Sequence, residues 1–388
     1  MRVLIAPDCF TGTLSAAQAA EAIAEGWRRS APDDELTLQP LSDGGPGFLD
    51  VLSSALSGAT VSATVADPLR RPVPAAILMV DRGVVRTAYI ESAQACGLHL
   101  LSADERNPMV TSTYGVGELI DAAVGQGATR VVVGLGGSGT NDGGAGMLAA
   151  LGAGDPDALG MGGATLSELA DGALDGLRLV RERLHSVELV LATDVDSPLL
   201  GFHGASAVFA PQKGATPEMT QELESALGHY AELVRTVVPT GRDLLTGKGM
   251  RLDREPGAGA AGGLGYGLLL LGGHRVSGVQ AVLEAVGFDA LVRATDLVVT
   301  GEGTFDWQSL RGKVVAGVAE AAVARVKPIV VIAGQALVGR RDSMALGISG
   351  TYAVAENPSQ IAAALEDPSG TLSRRTERVA TTWSPRRS

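Results

Sequence analysis

The chain has 388 residues, of which 45% are hydrophobic and 19% are charged, and its formal net charge is -12 at pH 7. A chain of this length buries roughly three quarters of the surface that its unfolded form exposes, which predicts about two domains that fold without disulfides. The negative charge argues against a nucleic-acid partner. The two cysteines, Cys9 and Cys96, are too few for a disulfide framework or a cysteine metal site.

Targeting and membrane signals are missing from the sequence pattern. The N-terminal MRVLIAP lacks the apolar core of a signal peptide, and no stretch stays apolar for the roughly 20 residues that cross a bilayer. We therefore expect a cytoplasmic protein that acts on small molecules, with no membrane or nucleic-acid partner. Homo-oligomerisation is compatible with this interpretation.

Both ends of the chain alternate short strands with helices. RVLIAP predicts a strand, LSAAQAAEAIAEGW predicts a helix that begins at a capping box of Ser15 and Gln18, and ELTLQP predicts a second strand. Near the other end, DLVVT, VVAGVAEAAVARV and PIVVIAG repeat the order strand, helix, strand. This pattern predicts a parallel sheet covered by helices.

The middle of the chain has a different pattern. ATVSATVAD, AAILMV and VVRTAYI, between Ala59 and Tyr89, predict an antiparallel meander, and the strands TRVVVGLGG and VELVLAT follow it. We therefore predict an α/β fold with two domains: a Rossmann-like parallel-sheet domain formed by both chain ends (1–66 and 288–388) and an inserted mixed α/β domain (67–287). Residues from about 368 onward predict a loosely ordered tail.

Acidic or amide side chains follow five of the predicted strands. Asp and Asn favour turns anywhere, but ligands of open α/β sheets bind beyond the carboxyl ends of strands. Carboxylates gathered there would suit a site that holds magnesium and takes a proton from an attacking hydroxyl. The residues are Asp8, Asp43, Asn141 with Asp142, Asp194 with Asp196, and Glu302 with Asp306.

The segment VVVGLGGSGTNDGGAGM, residues 131–147, has the glycines of a phosphate loop but Thr140 and Asn141 where a Walker-type loop has its lysine. We therefore expect another segment to supply the cation. Only four basic residues are lysines, and a lysine beside glycine suits a phosphate. The lysines are Lys213, Lys248 and Lys313, each beside a glycine, and Lys327.

A dinucleotide site is an alternative interpretation of the same loop. Gly134, Gly136 and Gly139 satisfy G-x-G-x-x-G after a strand. That motif is weak here, because PGAGAAGG matches it again after Pro256 and no predicted strand. Phosphate or substrate held by backbone N–H groups fits the continuation TNDGG better.

Nine motifs, in order and spacing, resemble the bacterial glycerate kinase family. They extend to about Ala355 and are APDCFTGTLSA, SDGGPG, ESAQACGL, TSTYGVGELI, GGSGTNDGGAGML, TDVDSPLLGFHGASAVFAPQKGA, PGAGAAGGLG, TGEGTFDWQSLRGK and VVIAG. The resemblance implies ATP-dependent phosphorylation of D-glycerate, with 2-phosphoglycerate favoured over 3-phosphoglycerate, and Mg²⁺ as a cofactor. It also implies a two-domain α/β fold, one domain inserted into the other, with the active site in the cleft between them.

The resemblance also implies the site residues, carried over by position and chemistry. As a hypothesis, the catalytic residues are Asp43, Asp142, Asp194 and Lys313, with Asp194 and Glu302 as magnesium ligands. The substrate-binding residues are Asp8, Ser15, Asn141, Glu302, Asp306 and Gln308. The residues that bind nucleotide phosphates are Gly136, Gly137, Ser138, Thr140 and Lys213.

Three positions depart from the family pattern. Thr11 stands where relatives commonly carry lysine, Pro46 where a glutamate is frequent, and Ser197 where asparagine is usual. Two other functions stay open beside the kinase. One is an NAD-dependent oxidoreductase that uses GLGGSG, and the other is a catalytically silent regulator that binds a sugar acid and in which Thr11 and Pro46 abolish turnover.

Overall fold

The computed structural model describes residues 1–10, 12–238, 251–310 and 312–384. It confirms the predicted α/β fold. Two compact units divide the chain: the first comprises Met1–Asp43, Asp50–Leu56 and Ser277–Ser388, and the second comprises Gly44–Leu49 and Ser57–Val276. The domain boundaries predicted from the sequence stay a prediction.

The strands alternate with helices along most of the chain. The strands of the described residues are β1 (Arg2–Ile5), β2 (Glu35–Leu38), β3 (Ala59–Ala66), β4 (Pro72–Arg82), β5 (Val85–Glu91), β6 (Arg130–Gly134), β7 (Glu188–Ala192), β8 (His274–Val276), β9 (Leu297–Thr300), β10 (Thr304–Phe305), β11 (Ile329–Ala333), β12 (Gln335–Ala336) and β13 (Gly350–Ala353). The helices are α1 (Ala16–Ser30), α2 (Phe48–Ala55), α3 (Ala93–Cys96), α4 (Tyr114–Gly125), α5 (Ala145–Ala150), α6 (Pro156–Leu159), α7 (Leu177–Leu184), α8 (Ala205–Phe209), α9 (Pro217–Val237), α10 (Ala260–Leu270), α11 (Gly278–Ala285), α12 (Phe288–Arg293), α13 (Val314–Ala324), α14 (Arg340–Ala345), α15 (Pro358–Glu366) and α16 (Pro368–Trp383).

The first unit contains a parallel sheet with the strand order β13-β11-β9-β1-β2. Both ends of the chain contribute strands to it, as the alternating pattern predicted. Helix α1 begins at the predicted capping box, in which Ser15 Oγ accepts from Gln18 N (3.2 Å) and Gln18 Oε1 accepts from Ser15 N (2.9 Å). The adjacent strands β9, β1 and β2 bring three carboxyl ends side by side.

The prediction of a loosely ordered tail from residue 368 is wrong. Residues 368–383 form α16, which packs against α1 and buries Leu372, Val379 and Ala380. The two helices approach so closely that a Cβ on Gly26 would lie 2.1 Å from the carbonyl oxygen of Ser373. The buried face of α16 includes serine and threonine beside few large apolar side chains, so its helical periodicity is weak in the sequence.

The second unit contains a six-stranded mixed sheet with the order β3-β4-β5-β6-β7-β8. Strands β3, β4 and β5 form the predicted antiparallel meander, and β5 to β8 pair in parallel. Strand β6 leads directly into the glycine-rich segment at Gly134. Among the described helices, none is both long and apolar enough to cross a membrane.

Candidate active site

Three carboxylates of the first unit follow neighbouring strands. Asp8 follows β1, Asp43 follows β2 and Glu302 follows β9, and β1 pairs in parallel with both other strands. The carboxyl ends of adjacent parallel strands share one edge of the sheet, which explains why the sequence positions converge. The negative charges of Asp43 and Glu302 act on Asp8.

Burial and the charges of neighbouring carboxylates disfavour the charged forms of Asp8 and Glu302. Burial, then the charge of Asp43, raise the pKa of Asp8 to about 7, against a hydrogen bond from Cys9 N to Asp8 Oδ1 (2.7 Å). Burial also raises the pKa of Glu302 to about 7, although Ser309 and Lys313 favour its charged form. Glu302 Oε1 is buried without a hydrogen-bond partner among the described residues. A bound cation would compensate both groups.

The other predicted site residues of the first unit lie in the loop after β10, at the start of α13 and at the start of α1. Asp306 Oδ1 accepts from the backbone N–H of Gln308 (2.8 Å), so this carboxylate stabilises the turn. Lys313 is half-buried at the start of α13, where its charge reaches Glu302. The Ser15 hydroxyl caps α1. Among the described residues, Lys313 is therefore a cation that acts on Glu302.

The high pKa of Asp8 predicts an unusual pH dependence of stability. Because the folded state favours protonated Asp8, this group lowers the free energy of unfolding as pH rises from about 4 to its folded pKa of about 7. In the absence of divalent cations, we expect Asp8→Asn to be more stable than the wild type at pH 8, by about 1–2 kcal/mol. Urea denaturation at pH 5 and pH 8 measures the difference. Asp33→Asn, which replaces an exposed acid, is the control variant.

The glycine-rich segment of the second unit packs tightly against residues 44–46. Gly136 N donates to the carbonyl oxygen of Gly44 (3.1 Å), and a Cβ on Gly136 would lie 2.3 Å from Gly45 Cα. A Cβ on Gly137 would lie 2.7 Å from Pro46 Cγ. The N–H of Gly136 is therefore not available to a phosphate, and we correct that prediction. Pro46 has a packing role against Gly137.

Asp142 fixes the glycine-rich segment from inside. Its carboxylate is fully buried and accepts four hydrogen bonds: from Thr113 N (2.8 Å), Thr113 Oγ1 (2.8 Å), Gly144 N (3.1 Å) and Gly146 N (3.2 Å). Burial raises the pKa of Asp142, and the hydrogen bonds from Thr113 and the two glycines oppose the rise. With both oxygens occupied, Asp142 is not placed to accept a proton from a substrate, so we withdraw that role.

Lys213 supplies the cation that the glycine-rich segment lacks in its own sequence. It lies at the end of a short 3₁₀ helix, Pro211–Lys213, with only 2% of its surface exposed. Its Nζ donates to Ser138 Oγ (2.9 Å) and to the carbonyl oxygen of Thr140 (2.7 Å). Burial lowers the pKa of Lys213 to about 8, while Cys96 and Asp142 favour the charged form. The expected cation from another segment is therefore present, bonded to the loop itself.

Asn141 and PGAGAAGG meet within the second unit. Asn141 is fully buried, its Nδ2 donates to Ser206 Oγ (3.0 Å), and its Oδ1 has no partner among the described residues. Gly143 N donates to the carbonyl oxygen of Gly262 (3.0 Å). PGAGAAGG is thus a packing partner of the glycine-rich segment, and interpreting it as a chance match to a dinucleotide motif missed this role.

Asp194 lies half-buried in the loop after β7. Arg275, on β8, binds the same loop: its Nε donates to the carbonyl oxygen of Thr193 (3.2 Å) and its Nη2 pairs with Asp196 Oδ1 (2.7 Å). Sequence reasoning missed Arg275, because an arginine in a short strand carries no motif. The pairing of β8 with β7, which brings Arg275 to this loop, is visible only in the structure.

The described residues contain no group of three or more His, Cys, Asp or Glu side chains arranged to hold a metal ion. Magnesium commonly takes one or two protein carboxylates and completes its shell with water and substrate phosphates. The buried, unpartnered oxygen of Glu302 fits one such position. Thr11 and Lys248 lie outside the described residues.

Comparison with known proteins defines the class. A family model described as "Glycerate kinase family" matches residues 3–384. The chain belongs to the glycerate kinase family, and by that membership it is a kinase. The match continues beyond Ala355 and includes α16, in contrast to the expectation that the tail lies outside the resemblance.

Individual relatives agree with this membership. The chain is 43% identical to the glycerate kinase of Bacillus subtilis over 91% of this chain and 90% of that protein. It is 42% identical to the glycerate 2-kinase of Escherichia coli over 86% of this chain and 85% of that protein. A crystal structure assigned as glycerate kinase 2 from Salmonella typhimurium superposes with a TM-score of 0.77 at 37% identity, covering 99% of this chain and 98% of that one.

Proposed function

We propose that this chain transfers the γ-phosphoryl group of ATP to a hydroxyl of D-glycerate, with Mg²⁺, and that the product is 2-phosphoglycerate. The observation that carries the proposal is the family match across residues 3–384. The name of the Escherichia coli relative specifies a 2-kinase, which supports the choice of hydroxyl. The proposal includes a cytoplasmic location and small-molecule substrates.

The proposed reaction assigns separate catalytic, phosphate-binding and magnesium-binding roles to the described side chains. Phosphoryl transfer depends mostly on positioning and on neutralising charge. In the proposed reaction the glycerate oxygen forms a bond to the γ-phosphorus, the bond to the bridging oxygen of ADP breaks, and Asp43 takes the hydroxyl proton. Lys313 and Ser138 bind phosphate oxygens, and Glu302 and Asp194 are the magnesium ligands. Bound magnesium would neutralise charge on the phosphates.

The other predicted residues receive narrower proposed roles. Asp8 orients the substrate hydroxyl, since its raised pKa allows a protonated carboxyl to donate. Asp306 shapes the loop around the substrate and Gln308 extends from it. We propose that Asn141, Gly137 and Thr140 keep the glycine-rich segment in shape, and that Lys213 acts through it.

The two alternative functions are distinguished from the kinase in different ways, the oxidoreductase by hydrogen bonds in the structure and the regulator by its lack of turnover. A dinucleotide site would require the N–H groups of GLGGSG and of the following helix, yet Gly136 N is bonded to Gly44, and Gly144 N and Gly146 N are bonded to Asp142. A silent regulator would share the binding groups and lack only turnover. A measurement of turnover therefore separates it from the kinase.

The test is a coupled assay of ADP release with ATP, Mg²⁺ and a panel of small hydroxy acids. We expect ADP release with D-glycerate and little with L-glycerate or lactate. Ligand-induced thermal stabilisation without ADP release would support the regulator instead. Tight NAD(H) binding with no ADP release would support the oxidoreductase.

Replacing Asp194 with asparagine removes a charge and keeps the shape of the side chain. If Asp194 holds magnesium, Asp194→Asn should lower kcat by about 10²- to 10³-fold while the protein stays folded. Steady-state kinetics with a circular dichroism spectrum measure both properties. The exposed control Asp171→Asn should keep wild-type kcat. Near-normal turnover of Asp194→Asn would remove Asp194 from the proposed magnesium ligands.

A further inference from the structure

A buried lysine beside a serine hydroxyl is a feature that direct phosphate binding does not explain. Lys213 is 2% exposed and Ser138 is 7% exposed, so both side chains are buried. Lys213 Nζ donates to Ser138 Oγ at 2.9 Å. An ammonium group can donate hydrogen bonds but cannot accept one, so the serine oxygen is the acceptor in this hydrogen bond.

The direction of that bond determines what the serine can do. Because Ser138 Oγ accepts from Lys213, the hydroxyl proton of Ser138 points elsewhere, and no acceptor for it occurs among the described contacts. A positive charge 2.9 Å from the oxygen also polarises the O–H bond and strengthens it as a donor toward an anion. Ser138 is thus prepared to donate to a negatively charged oxygen.

The backbone around Ser138 is held on both sides. Leu98 N donates to the carbonyl oxygen of Gly137 (2.9 Å), and Gly139 N donates to that of Cys96 (2.7 Å). The second donor bond of Lys213 ends on the carbonyl oxygen of Thr140 (2.7 Å). A donor fixed before the substrate arrives loses little energy to reorganisation when charge develops, which makes such groups effective in catalysis.

We propose that Lys213 is a positioning residue that holds and polarises the Ser138 hydroxyl as a hydrogen-bond donor to a phosphate oxygen of the nucleotide, without itself touching the substrate. This inference rests on the proposed kinase function. It assigns the cation of the glycine-rich segment an indirect role, in contrast to the lysine of a Walker-type loop, which contacts phosphate directly.

An indirect role of Lys213 through Ser138 and a direct contact of Lys213 with phosphate predict different results in a double-mutant cycle. If Lys213 acts through Ser138, Lys213→Met should lower kcat by about 10²-fold in the wild type, but by less than about 5-fold in a Ser138→Ala background. Steady-state kinetics of both single variants and the double variant measure this coupling. Equal factors in the two backgrounds would mean that Lys213 acts independently, which would overturn the proposal. Lys327→Met, which removes a lysine of the other unit, should behave as the wild type.

A second measurement, the pH dependence of kcat, needs only the wild type and Ser138→Ala. The groups that face Lys213 are Cys96, whose pKa burial raises to about 12, and Asp142, which is present in both enzymes. We expect wild-type kcat to fall above pH 8 as Lys213 loses its proton, and Ser138→Ala to lack that fall. The same basic limb in both enzymes would contradict the proposal, even if Lys213→Met does not fold.

A third measurement separates this inference from the kinase proposal. Without ADP release from D-glycerate in the wild type, the kinase proposal fails by itself. Whether Lys213 stabilises the glycine-rich segment through its hydrogen bonds to Ser138 and Thr140 can still be measured, by hydrogen exchange of the amides of residues 135–144. Lys213→Met should accelerate that exchange and Lys327→Met should not. Unchanged exchange in Lys213→Met would overturn the inference independently of activity.

Discussion

Asp142→Ala is expected to lower the free energy of unfolding by about 3–5 kcal/mol. The wild-type carboxylate is fully buried and accepts from two donors of Thr113 and from the N–H groups of Gly144 and Gly146. Alanine would leave these four donors without a partner in a site that water does not reach. The removal of a buried charge offsets part of this cost, because burial raises the pKa of Asp142.

Urea denaturation followed by circular dichroism measures this loss. The control is Asp157→Asn, an exposed acid near the same part of the chain, which we expect to change the free energy of unfolding by less than about 0.5 kcal/mol. Asp142→Asn should lie between the two, since one amide oxygen can still accept. If Asp142→Ala unfolds at the wild-type urea concentration, the four hydrogen bonds do not hold this loop.

Gly262→Ala is expected to cost about 3 kcal/mol or more and to reduce turnover. Gly262 has a positive φ of 68°, and a Cβ there would lie 1.9 Å from the carbonyl oxygen of Thr140 and 2.8 Å from Asn141 Cα. Left-handed backbone alone costs alanine about 1–2 kcal/mol. The backbone of Thr140 and Asn141 must then move, which disturbs the hydrogen bond from Lys213 to the Thr140 carbonyl.

The matched control is another glycine-to-alanine change. Gly228 lies inside α9, and a Cβ there would meet nothing within 4 Å. Gly228→Ala should therefore raise stability by about 0.5–1 kcal/mol, because alanine has the higher helix propensity. Unfolding curves and kcat for both variants provide the comparison. A Gly262→Ala variant with wild-type stability would show that the PGAGAAGG turn and the glycine-rich segment do not pack as described.

The elements of the sheets could be predicted from the sequence because their signals are local. The capping box depends on two residues three positions apart, Ser15 and Gln18. The antiparallel meander depends on strands that follow one another directly along the chain. Helix α16 was missed because its buried face combines Leu372, Val379 and Ala380 with small polar side chains. Its partner helix α1 is also far away in sequence: Gly26 contacts Ser373, and 373 − 26 is 347 residues. No local pattern reports such a partner.

For the candidate site, too, one part could be predicted from the sequence and another could not. The end of each strand predicted where Asp8, Asp43 and Glu302 would stand, because parallel strands share an edge. The use made of each side chain could not be predicted. Asp142 and Lys213 have the chemistry of catalytic groups, but their hydrogen bonds are made within the protein. A sequence shows which donors exist and does not show which are already occupied.

The most direct test is ³¹P and ¹H NMR of the purified protein incubated with ATP, Mg²⁺ and D-glycerate. We predict a phosphate monoester on carbon 2 of glycerate that accumulates at the rate at which ADP appears. A monoester on carbon 3 would keep the kinase and contradict the choice of hydroxyl. ATP and glycerate that both remain unchanged would contradict the proposed phosphoryl transfer altogether.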